Sequence, residues 1–339
     1  MKVLSLFDGM ACGMIAMQLA GVDVESYDAY EIDEYAIKTA QHNFPMIKEH
    51  GDVFDADFTQ YEGVDFLIGG SPCTYWSIAQ TKNRETVASG MGWELFSQYV
   101  RALHEAKPKY FIYENNKSMS KDIRASIDKA FGFEAVLINS ALVSAQNRQR
   151  LYWVGRRTPD GTYSQVNVEQ PADRGILLKD VLDSASAGRT TEREFFTKNQ
   201  GNMAAEPINV TAYGKAKTIS ASYAYKGDGE GSLKSELFPD NPIKQTSNYV
   251  AEPTGKGEKE KTIYEVLDGK ITIKGKQYPI KLADGYYIIR KLTVSECKRL
   301  QTVPEWYEFP VSDSQAYKML GNGWTCEVIA HILKSLKEA

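Results

Sequence analysis

The first half of the chain alternates short apolar runs with segments of helical periodicity, and this alternation constrains the fold more than any other feature. Strands are predicted at residues 2–7, 26–31, 48–53, 64–69 and 109–114, followed by paired strands at 133–143 and 149–155. Helices are predicted at residues 13–20, 34–43, 95–106 and 124–131. Such alternation is typical of a mostly parallel sheet with helices on both faces, so the sequence predicts an α/β domain.

The character of the sequence changes from about residue 181. Polar stretches that contain Gly and Pro, such as 224–232 and 252–261, separate short β-prone pieces at 262–266, 270–273 and 286–289. This pattern predicts a separate, loop-rich β module. Helical periodicity returns at Leu292, where Thr293 and Glu296 form a capping-box pattern. The end of the chain, residues 324–337, is predicted to be an amphipathic helix.

Composition excludes several classes of protein. The 339 residues are 42% hydrophobic and 25% charged, which is ordinary for a globular protein. No apolar run approaches membrane-spanning length, and strand-like sequence begins at Val3, which leaves no room for a signal peptide. The four cysteines are widely spaced, with no CxxC pair, and there are only four histidines. We therefore expect no disulfide framework, no metal site and a reducing compartment.

The formal net charge of −4 argues mildly against a nucleic-acid partner. Net charge is a blunt test, because one basic face can coexist with an acidic back. Four arginines fall within ten residues, at positions 148, 150, 156 and 157. Charge alone decides nothing for this chain.

A cysteine follows one predicted strand at a tight turn. The apolar run 64–68 continues into Gly69-Gly70-Ser71-Pro72-Cys73. Two glycines after a buried strand favour a tight loop, and proline restricts both itself and the preceding residue. A lone cysteine is more often a small buried hydrophobe. The carboxyl end of a strand, however, is where α/β folds keep reactive groups, and charged residues end two later strands.

Acidic residues end the first strands of the predicted sheet. The loop from Phe7 to Gly13 carries Asp8 and Gly9 and opens a helix, but it is not GxGxxG. Glu31 ends the second strand, where an acid binds ribose hydroxyls. Asp52 ends the third strand, where it can accept from an adenine amino group. We interpret these strand ends as an adenosine site without a pyrophosphate clamp.

Charged residues also end two later strands. Glu114 closes an apolar strand and is followed by Asn115. Gln146, Arg148 and Arg150 alternate along a predicted strand and would share one face. The rival interpretation is a solvated strand edge whose charges oppose aggregation. With a cysteine and a carboxylate in the same chain, a site is favoured.

These motifs together resemble the DNA (cytosine-5)-methyltransferase family. In the family's order they are Phe7-Asp8-Gly9, Gly70-Ser71-Pro72-Cys73, Glu114-Asn115, Gln146-Asn147-Arg148-Gln149-Arg150, Arg290-Lys291-Leu292-Thr293 with Glu296, Arg299 and Leu300, and Gly321-Asn322. The resemblance covers roughly residues 1–157 and 289–339. It implies a Rossmann-like, S-adenosylmethionine-dependent methyltransferase fold with a small β-rich target-recognition module. The catalytic domain would be discontinuous, over residues 1–180 and 289–339, around a target-recognition domain at 181–288.

The resemblance also implies roles for single residues. The Cys73 thiolate would add to C6 of a flipped-out cytosine, which makes C5 nucleophilic. Glu114 would hydrogen-bond or protonate N3, and the two arginines would hold the base O2 and a neighbouring phosphate or acid. Residues expected to hold S-adenosyl-L-methionine are Phe7, Asp8, Gly9, Gly13, Glu31, Ile32, Asp52, Val53, Pro72, Asn322 and Trp324. Two positions depart from the family pattern, namely Asn116 in place of valine and Gly323 in place of serine.

Several alternatives stay open from the sequence. A related enzyme acting on tRNA is disfavoured by Tyr75-Trp76-Ser77 after the cysteine, and a non-catalytic DNA-binding homologue is disfavoured by the intact candidate residues. A dehydrogenase lacks its dinucleotide fingerprint here. The polar stretch 77–93, with Gly90 and Gly92, suits either a mobile lid over a bound base or an ordinary surface loop. We expect a monomer that works on double-stranded DNA in the cytoplasm of a bacterial or phage-infected cell, away from membranes.

Overall fold

The computed structural model describes residues 1–78, 84–183, 194–197, 208–210, 216–217, 248–254, 263–273, 276–279 and 284–338. Within these residues the chain forms two large sheets, one in each of the regions that the sequence separates. No helix of the described part is long and apolar enough to cross a membrane.

The larger sheet has the strand order β3-β2-β1-β4-β5-β8-β6, with β9 paired to β8. Its strands are β1 (Lys2–Leu6), β2 (Ser26–Tyr30), β3 (Lys48–Glu49), β4 (Phe66–Gly69), β5 (Tyr110–Asn116), β6 (Val136–Asn139), β8 (Gln149–Arg157) and β9 (Tyr163–Gln165). The pairs from β3 across to β5 are parallel, and those made by β8 are antiparallel. Strand order reverses at β1, so the carboxyl ends of β1 and β4 flank the crevice where open α/β sheets bind ligands. The predicted α/β, Rossmann-like fold is confirmed.

Helices cover both faces of this sheet. They are α1 (Cys12–Leu19), α2 (Glu34–Asn43), α3 (Met91–Ala106), α4 (Lys121–Phe131), α5 (Val294–Leu300), α6 (Asp313–Asn322) and α7 (Cys326–Glu338). Alternate residues of each strand enter different clusters, because successive side chains of a strand point to opposite faces. On β5, for example, Ile112 packs in the cluster with α1 and α7, whereas Phe111 and Tyr113 pack in the cluster with α3 and α4.

The C-terminal helices join the domain that the first half of the chain forms. Helix α7 packs against α1. The Tyr307 hydroxyl donates to the Met10 carbonyl at 2.6 Å, which ties the C-terminal segment to the loop after β1. The predicted capping box begins α5, because Thr293 Oγ1 accepts from the Glu296 amide and Glu296 Oε2 accepts from the Thr293 amide. The C-terminal segment therefore stands directly beside the carboxyl edge of the sheet.

The second sheet is antiparallel, with the order β11-β10-β13-β17-β14-β15-β16. Its strands are β10 (Glu194–Thr197), β11 (Ile208–Val210), β13 (Asn248–Thr254), β14 (Tyr264–Leu267), β15 (Lys270–Ile273), β16 (Lys276–Pro279) and β17 (Gly285–Lys291). A separate two-stranded pair joins β7 (Gln146–Asn147) to β12 (Ala216–Lys217). The middle region thus forms β-strands, as the sequence predicts. Residues 252–254, which were predicted to be loop, belong to β13. The stretch 224–232 lies outside the described residues, and the domain boundaries stay a prediction.

Some predicted element bounds are wrong, and local capping explains why. Strand β3 ends at Glu49 instead of residue 53, because Gly51 turns at φ +82° and Asp52 caps a 3₁₀ helix, Val53–Asp55. Strand β6 ends at Asn139, whose side chain caps the next 3₁₀ turn. Helix α3 starts at Met91, four residues before the predicted position. Its first turn is held by the Glu85 carboxylate, which accepts from the Gly92 amide at 3.1 Å.

Candidate active site

The predicted nucleophile lies at the carboxyl edge of the large sheet, in a loop that approaches β5 closely. A Cβ built on Gly70 would fall 2.8 Å from the Glu114 carbonyl oxygen and 3.0 Å from Glu114 Oε2. Only glycine permits this approach. Pro72 is exposed, and Cys73 begins a short 3₁₀ turn with its side chain partly exposed. The loop that carries the partly exposed Cys73 thiol therefore packs against Glu114, near the carboxyl end of β5.

A buried polar network supports the cysteine loop from below. The Ser71 and Tyr113 hydroxyls lie 2.6 Å apart, and Asn115 Nδ2 donates to the Ser71 carbonyl at 3.2 Å. Asn116, where the family usually has valine, donates from Nδ2 to the Cys73 carbonyl at 3.4 Å and accepts from Ser118 Oγ. The departure from the family pattern thus places a polar contact on the cysteine's own backbone.

Glu114 receives one donor on each carboxylate oxygen. Arg150 Nε lies 3.0 Å from Oε1, and the Trp324 indole Nε1 donates to Oε2 at 3.1 Å. All three side chains are largely shielded from solvent. Because a donor on each oxygen restrains the last torsion of the side chain, these two contacts fix the carboxylate plane. Cys73, Glu114, Arg148 and Arg150 are the residues that the sequence predicts to be catalytic, and we call them the catalytic cluster.

Arg148 differs from Arg150 in its surroundings, and the continuous strand predicted for both is wrong. Strand β7 ends at Asn147 and β8 begins at Gln149. Between them the Arg148 amide donates to the side-chain oxygen Oδ1 of Asn139. Among the described residues this amide therefore makes no backbone hydrogen bond to a neighbouring strand. Its buried guanidinium donates to the carbonyls of Gly321 and Gly323 at 3.2 and 2.9 Å. Burial lowers the pKa of Arg148 to about 10, with the Arg150 charge as the second cause.

The four arginines that lie close together in the sequence, at positions 148, 150, 156 and 157, lie at opposite ends of β8 in the structure. Arg150 pairs with Asn116 at the carboxyl end of β5, whereas Arg156 pairs with Tyr110 at its amino end. These pairings span the length of β5, so Arg156 and Arg157 lie at the edge opposite the cysteine loop. Spacing in sequence placed them together, and strand geometry separates them.

The loop after β1 is strained and tightly held. Phe7, Gly9 and Ala11 have φ of 58°, 62° and 59°, and positive φ in a non-glycine residue costs of order 1–3 kcal/mol. The Phe7 amide donates to the Tyr30 carbonyl at 2.9 Å, and the Gly9 amide donates to Glu31 Oε2 at 2.8 Å. Such strain concentrates where a ligand must be met by the backbone.

Three carboxylates gather beside this loop: Asp8, Glu31 and Glu49, which we call the acidic cluster. Asp8 Oδ1 accepts from the hydroxyls of Ser5 and Tyr27 at 2.5 and 2.6 Å. Asp8 Oδ2 and both carboxylate oxygens of Glu49 are buried, with no hydrogen-bond partner among the described residues. Burial raises the pKa of Asp8 to about 6 and that of Glu49 to about 8, where the charges of Asp8 and Glu31 add to the effect.

Glu49 was missed by the sequence analysis. The sequence could have indicated it, because Glu49 lies in the predicted strand 48–53, and the first two strands are followed by or end in the acids Asp8 and Glu31. Its backbone pairs with Ala29 of β2, and Ala29 in turn pairs with Ser5 of β1. The three residues share a face, so Glu49 points toward the side of the sheet from which Ser5 contacts Asp8.

The other residues predicted to hold a cofactor lie around the same edge. Ile32 is 73% exposed beside Glu31, whose Oε1 accepts from the Ile32 amide. Asp52 accepts from the Phe54 amide at 3.0 Å, and Val53 is buried. At Gly13 a Cβ would fall 2.6 Å from the Tyr27 hydroxyl. The predicted cofactor residues that precede position 60 therefore lie around the carboxyl edge of the sheet.

The C-terminal residues predicted for the cofactor differ in their contacts. Asn322 is the exposed last residue of α6. A Cβ at Gly323 would fall 2.9 Å from Cys12 Sγ, which accounts for glycine where the family commonly has serine. Trp324 contacts Glu114 of the catalytic cluster. The assignment of these residues to a cofactor stays a prediction.

Hydrogen bonds hold both described ends of the predicted lid, residues 77–93. Glu85 accepts from Trp76 Nε1 at 3.0 Å and from the Gly92 amide, and Arg84 donates to the Ser118 carbonyl at 2.6 Å. Residues 79–83 of the predicted lid lie outside the described part, and the lid stays a prediction. Within the described ranges no three His, Cys, Asp or Glu side chains are grouped to hold a metal ion.

Comparisons with known proteins agree with this geometry. The family model of the C-5 cytosine-specific DNA methylase matches residues 1–338. The orphan methyltransferase M.SPRI of Bacillus phage SPR is 25% identical, over 99% of this chain and 97% of its own length. The type II methyltransferase M.HpaII of Haemophilus parainfluenzae is 28% identical, over 99% and 88%.

A solved structure shows the same fold. The crystal structure of the S. pombe Dnmt2 methyltransferase superimposes with a TM-score of 0.58 at 13% identity, over 99% of this chain and 98% of that one. At this identity the likeness concerns the fold alone. The family model, by contrast, spans nearly the whole sequence, including the middle region that motif comparison left unmatched. This chain therefore belongs to the C-5 cytosine-specific DNA methylase family.

Proposed function

We propose that this chain, a DNA cytosine C5-methyltransferase by family, works through a covalent adduct between Cys73 and C6 of a flipped-out cytosine. The observation that carries the proposal is the convergence of a partly exposed free thiol, a clamped carboxylate and two arginines at one edge of the sheet. A base inside a duplex cannot reach such an edge, so the cytosine must leave the stack.

Enzymes of this family and fold take the methyl group from S-adenosylmethionine. The residues beside the loop after β1 fit that group. Buried carboxylate oxygens without protein partners on Asp8 and Glu49 suit the positively charged part of such a ligand. Glu31 would accept from ribose hydroxyls, Asp52 from the adenine amino group, and the exposed Ile32 would contact the base.

The covalent step assigns a distinct task to each catalytic residue. Cys73 Sγ forms a bond to C6, and the electron pair of the C5–C6 double bond moves toward C5. Glu114 stabilises the resulting charge through N3 by hydrogen bonding or proton donation. The methyl group would come from the sulfonium of the cofactor, which would be left as the neutral thioether. C5 would then lose its proton to water, the C5–C6 double bond would re-form, and Cys73 would leave as thiolate. Splitting the reaction in this way lowers the barrier of a difficult step.

The two arginines support this chemistry differently. Arg150 holds Glu114 through Nε and donates to the Gln149 carbonyl through Nη1, and its guanidinium would also bind the base O2. Arg148 holds the C-terminal segment through two backbone carbonyls and places a positive charge near Cys73 and Glu114. A nearby positive charge favours the thiolate form of a cysteine.

Recognition of the DNA sequence is proposed for residues 181–288. The candidate catalytic residues all lie outside this interval, and base-edge contacts specify sequence whereas phosphate contacts only position the protein. DNA is favoured over tRNA because the matching family model is one of DNA methylases, and the Dnmt2 structure is the more distant match by identity. A monomer that works in the cytoplasm stays part of this proposal, and the free thiols of Cys12, Cys73, Cys297 and Cys326 are consistent with a reducing compartment.

The test is expression in a host without DNA methylation, followed by sequencing of 5-methylcytosine. The wild type should methylate cytosine in one sequence context, and Cys73→Ala should lower transfer by about 10⁴-fold or more while keeping DNA affinity. Cys297→Ala is the matched control, since Cys297 is buried in α5. Replacing residues 181–288 with those of another member should change the context. Substantial transfer by Cys73→Ala would contradict the covalent route.

A further inference from the structure

A tryptophan from the C-terminal part of the chain completes the hydrogen bonding of Glu114. The indole Nε1 of Trp324 donates to Oε2, and Arg150 occupies Oε1. Glu114 and Trp324 are 210 residues apart in sequence, so the contact exists only in the tertiary structure. A Cβ at Gly70 would lie 3.4 Å from the same indole nitrogen. The cysteine loop, the carboxylate and the indole therefore share one packed corner.

The backbone on both sides of Trp324 is fixed by buried side chains. Arg148 donates to the carbonyls of Gly321 and Gly323. On the other side, Thr325 Oγ1 donates to Gln301 Oε1 at 3.0 Å and accepts from Ser140 Oγ at 2.8 Å. Arg148 thus acts on Glu114 through the segment that carries Trp324. These contacts on both sides of Trp324 fix the position of its indole ring.

We propose that Trp324 is a positioning residue whose indole N–H holds the Glu114 carboxylate in the plane from which it meets N3 of the flipped cytosine. The proposal rests on the proposed function. The last torsion of a glutamate side chain is broad when nothing restrains it, and donors on both oxygens remove that freedom. A neutral N–H does so without adding a third positive charge beside Arg148 and Arg150.

The experiment compares Trp324→Phe, which keeps a ring but removes the N–H, with Trp306→Phe. Trp306 is a suitable control because it is 51% exposed and packs edge-on against Phe44. The readouts are covalent trapping on DNA that carries 5-fluorocytosine, kcat at saturating cofactor, and cofactor Kd. Loss of one hydrogen bond to a charged group should lower trapping and kcat of Trp324→Phe by about 10- to 100-fold. Cofactor Kd and the control should stay within about twofold of wild type.

The outcomes separate this inference from the proposed function. If the wild type forms no adduct, the covalent function itself fails. If the wild type is trapped and Trp324→Phe is trapped equally fast, the positioning role is wrong. A defect that disappears at saturating cofactor would assign Trp324 to the cofactor and overturn the inference. Should Trp324→Phe lose its fold, benzothienylalanine at position 324 replaces N–H by sulfur with the same ring outline, and the same readouts decide.

Discussion

The catalytic cluster and the acidic cluster lie at the same edge of one sheet, yet their polar groups are satisfied differently. In the catalytic cluster Glu114 has a protein donor on each oxygen, and Arg148 is bonded to backbone carbonyls. In the acidic cluster Asp8 and Glu49 keep buried oxygens without a partner in the described part of the chain. The first is organised before any substrate binds, as electrostatic catalysis requires. The second keeps unpaired buried oxygens, which supports the proposal that it meets the positively charged part of the cofactor.

This difference has an energetic meaning. Paired groups such as Glu114 and Arg150 stabilise each other, so disturbing them should change the reaction rate. Buried carboxylates without partners destabilise the protein when they are ionised, because burial without a hydrogen bond costs free energy. Substitutions in the two clusters should therefore have effects of different kind. Substitutions of Glu114 and Arg150 should act on turnover, and substitutions in the acidic cluster should act on stability and on its pH dependence.

The largest effect in this comparison is expected from Glu114→Gln. The amide can still accept through its carbonyl oxygen, but it cannot deliver a proton to N3. Loss of general-acid assistance should lower kcat by about 10²- to 10⁴-fold, with Tm changed little. The measurement is single-turnover methyl transfer together with thermal unfolding. The exposed residue Glu134 provides a control as Glu134→Gln. Trapping of 5-fluorocytosine DNA at the wild-type rate would contradict the activating role.

A matched pair of Arg→Lys variants tests the division of labour within the catalytic cluster. Arg150→Lys keeps the charge but loses the forked donors, so kcat should fall by about 10- to 100-fold with Tm almost unchanged. Arg148→Lys cannot reach both carbonyls of Gly321 and Gly323, and one unsatisfied buried carbonyl costs about 1–3 kcal/mol, or roughly 1–4 °C in Tm. Thermal unfolding and kcat are measured on both variants. Equal losses of Tm would show that the two arginines do not differ as the structure places them.

The smallest expected effect comes from Glu49→Gln in the acidic cluster, and the size of this effect on Tm depends on pH. The pKa of Glu49 is raised from 4.5 to about 8 in the folded state. Between these values the folded protein keeps a proton that the unfolded chain has released, so stability falls as pH rises through the window. Removing the titrating group should leave Tm near the wild-type value at pH 4.5 and raise it by about 2 °C or more at pH 8.5.

Thermal unfolding without cofactor at both pH values checks this prediction. The control is Glu25→Gln, since Glu25 is exposed and its side chain lies outside the cluster. A Tm difference that stays constant across the pH range would mean that Glu49 is not held protonated by burial. A fall in Tm at pH 8.5 would mean that the carboxylate has a stabilising partner.

Much of the fold was predictable because it depends on local periodicity. Alternation of apolar runs with helical segments gave the strands and helices of the large sheet, and two glycines with a proline marked the turn before Cys73. Element ends were less predictable where one side chain decides them. Asp52 ends β3 early by capping a 3₁₀ helix, and Glu85 starts α3 early by accepting from Gly92. Such caps depend on a single hydrogen bond, which periodicity does not record.

The candidate site divides in the same way. Motifs in sequence order predicted Cys73, Glu31 and Glu114, which follow or lie near the carboxyl ends of parallel strands at one edge of the sheet. The two arginines reach the same edge from the amino end of the antiparallel strand β8. The motifs did not reveal which of these side chains contact one another. Spacing placed Arg148 beside Arg150 on one strand face, whereas the structure turns Arg148 toward Gly321 and Gly323.

The sequence by itself determined the sheet, the turn that presents the thiol and the family to which the chain belongs, because these depend on neighbours in the chain. Only the tertiary structure decided that Trp324 reaches Glu114 and that Glu49 is buried beside Asp8. Hydrogen bonds and desolvation act over a few ångströms in space, and they join residues whose separation in sequence carries no record of the contact.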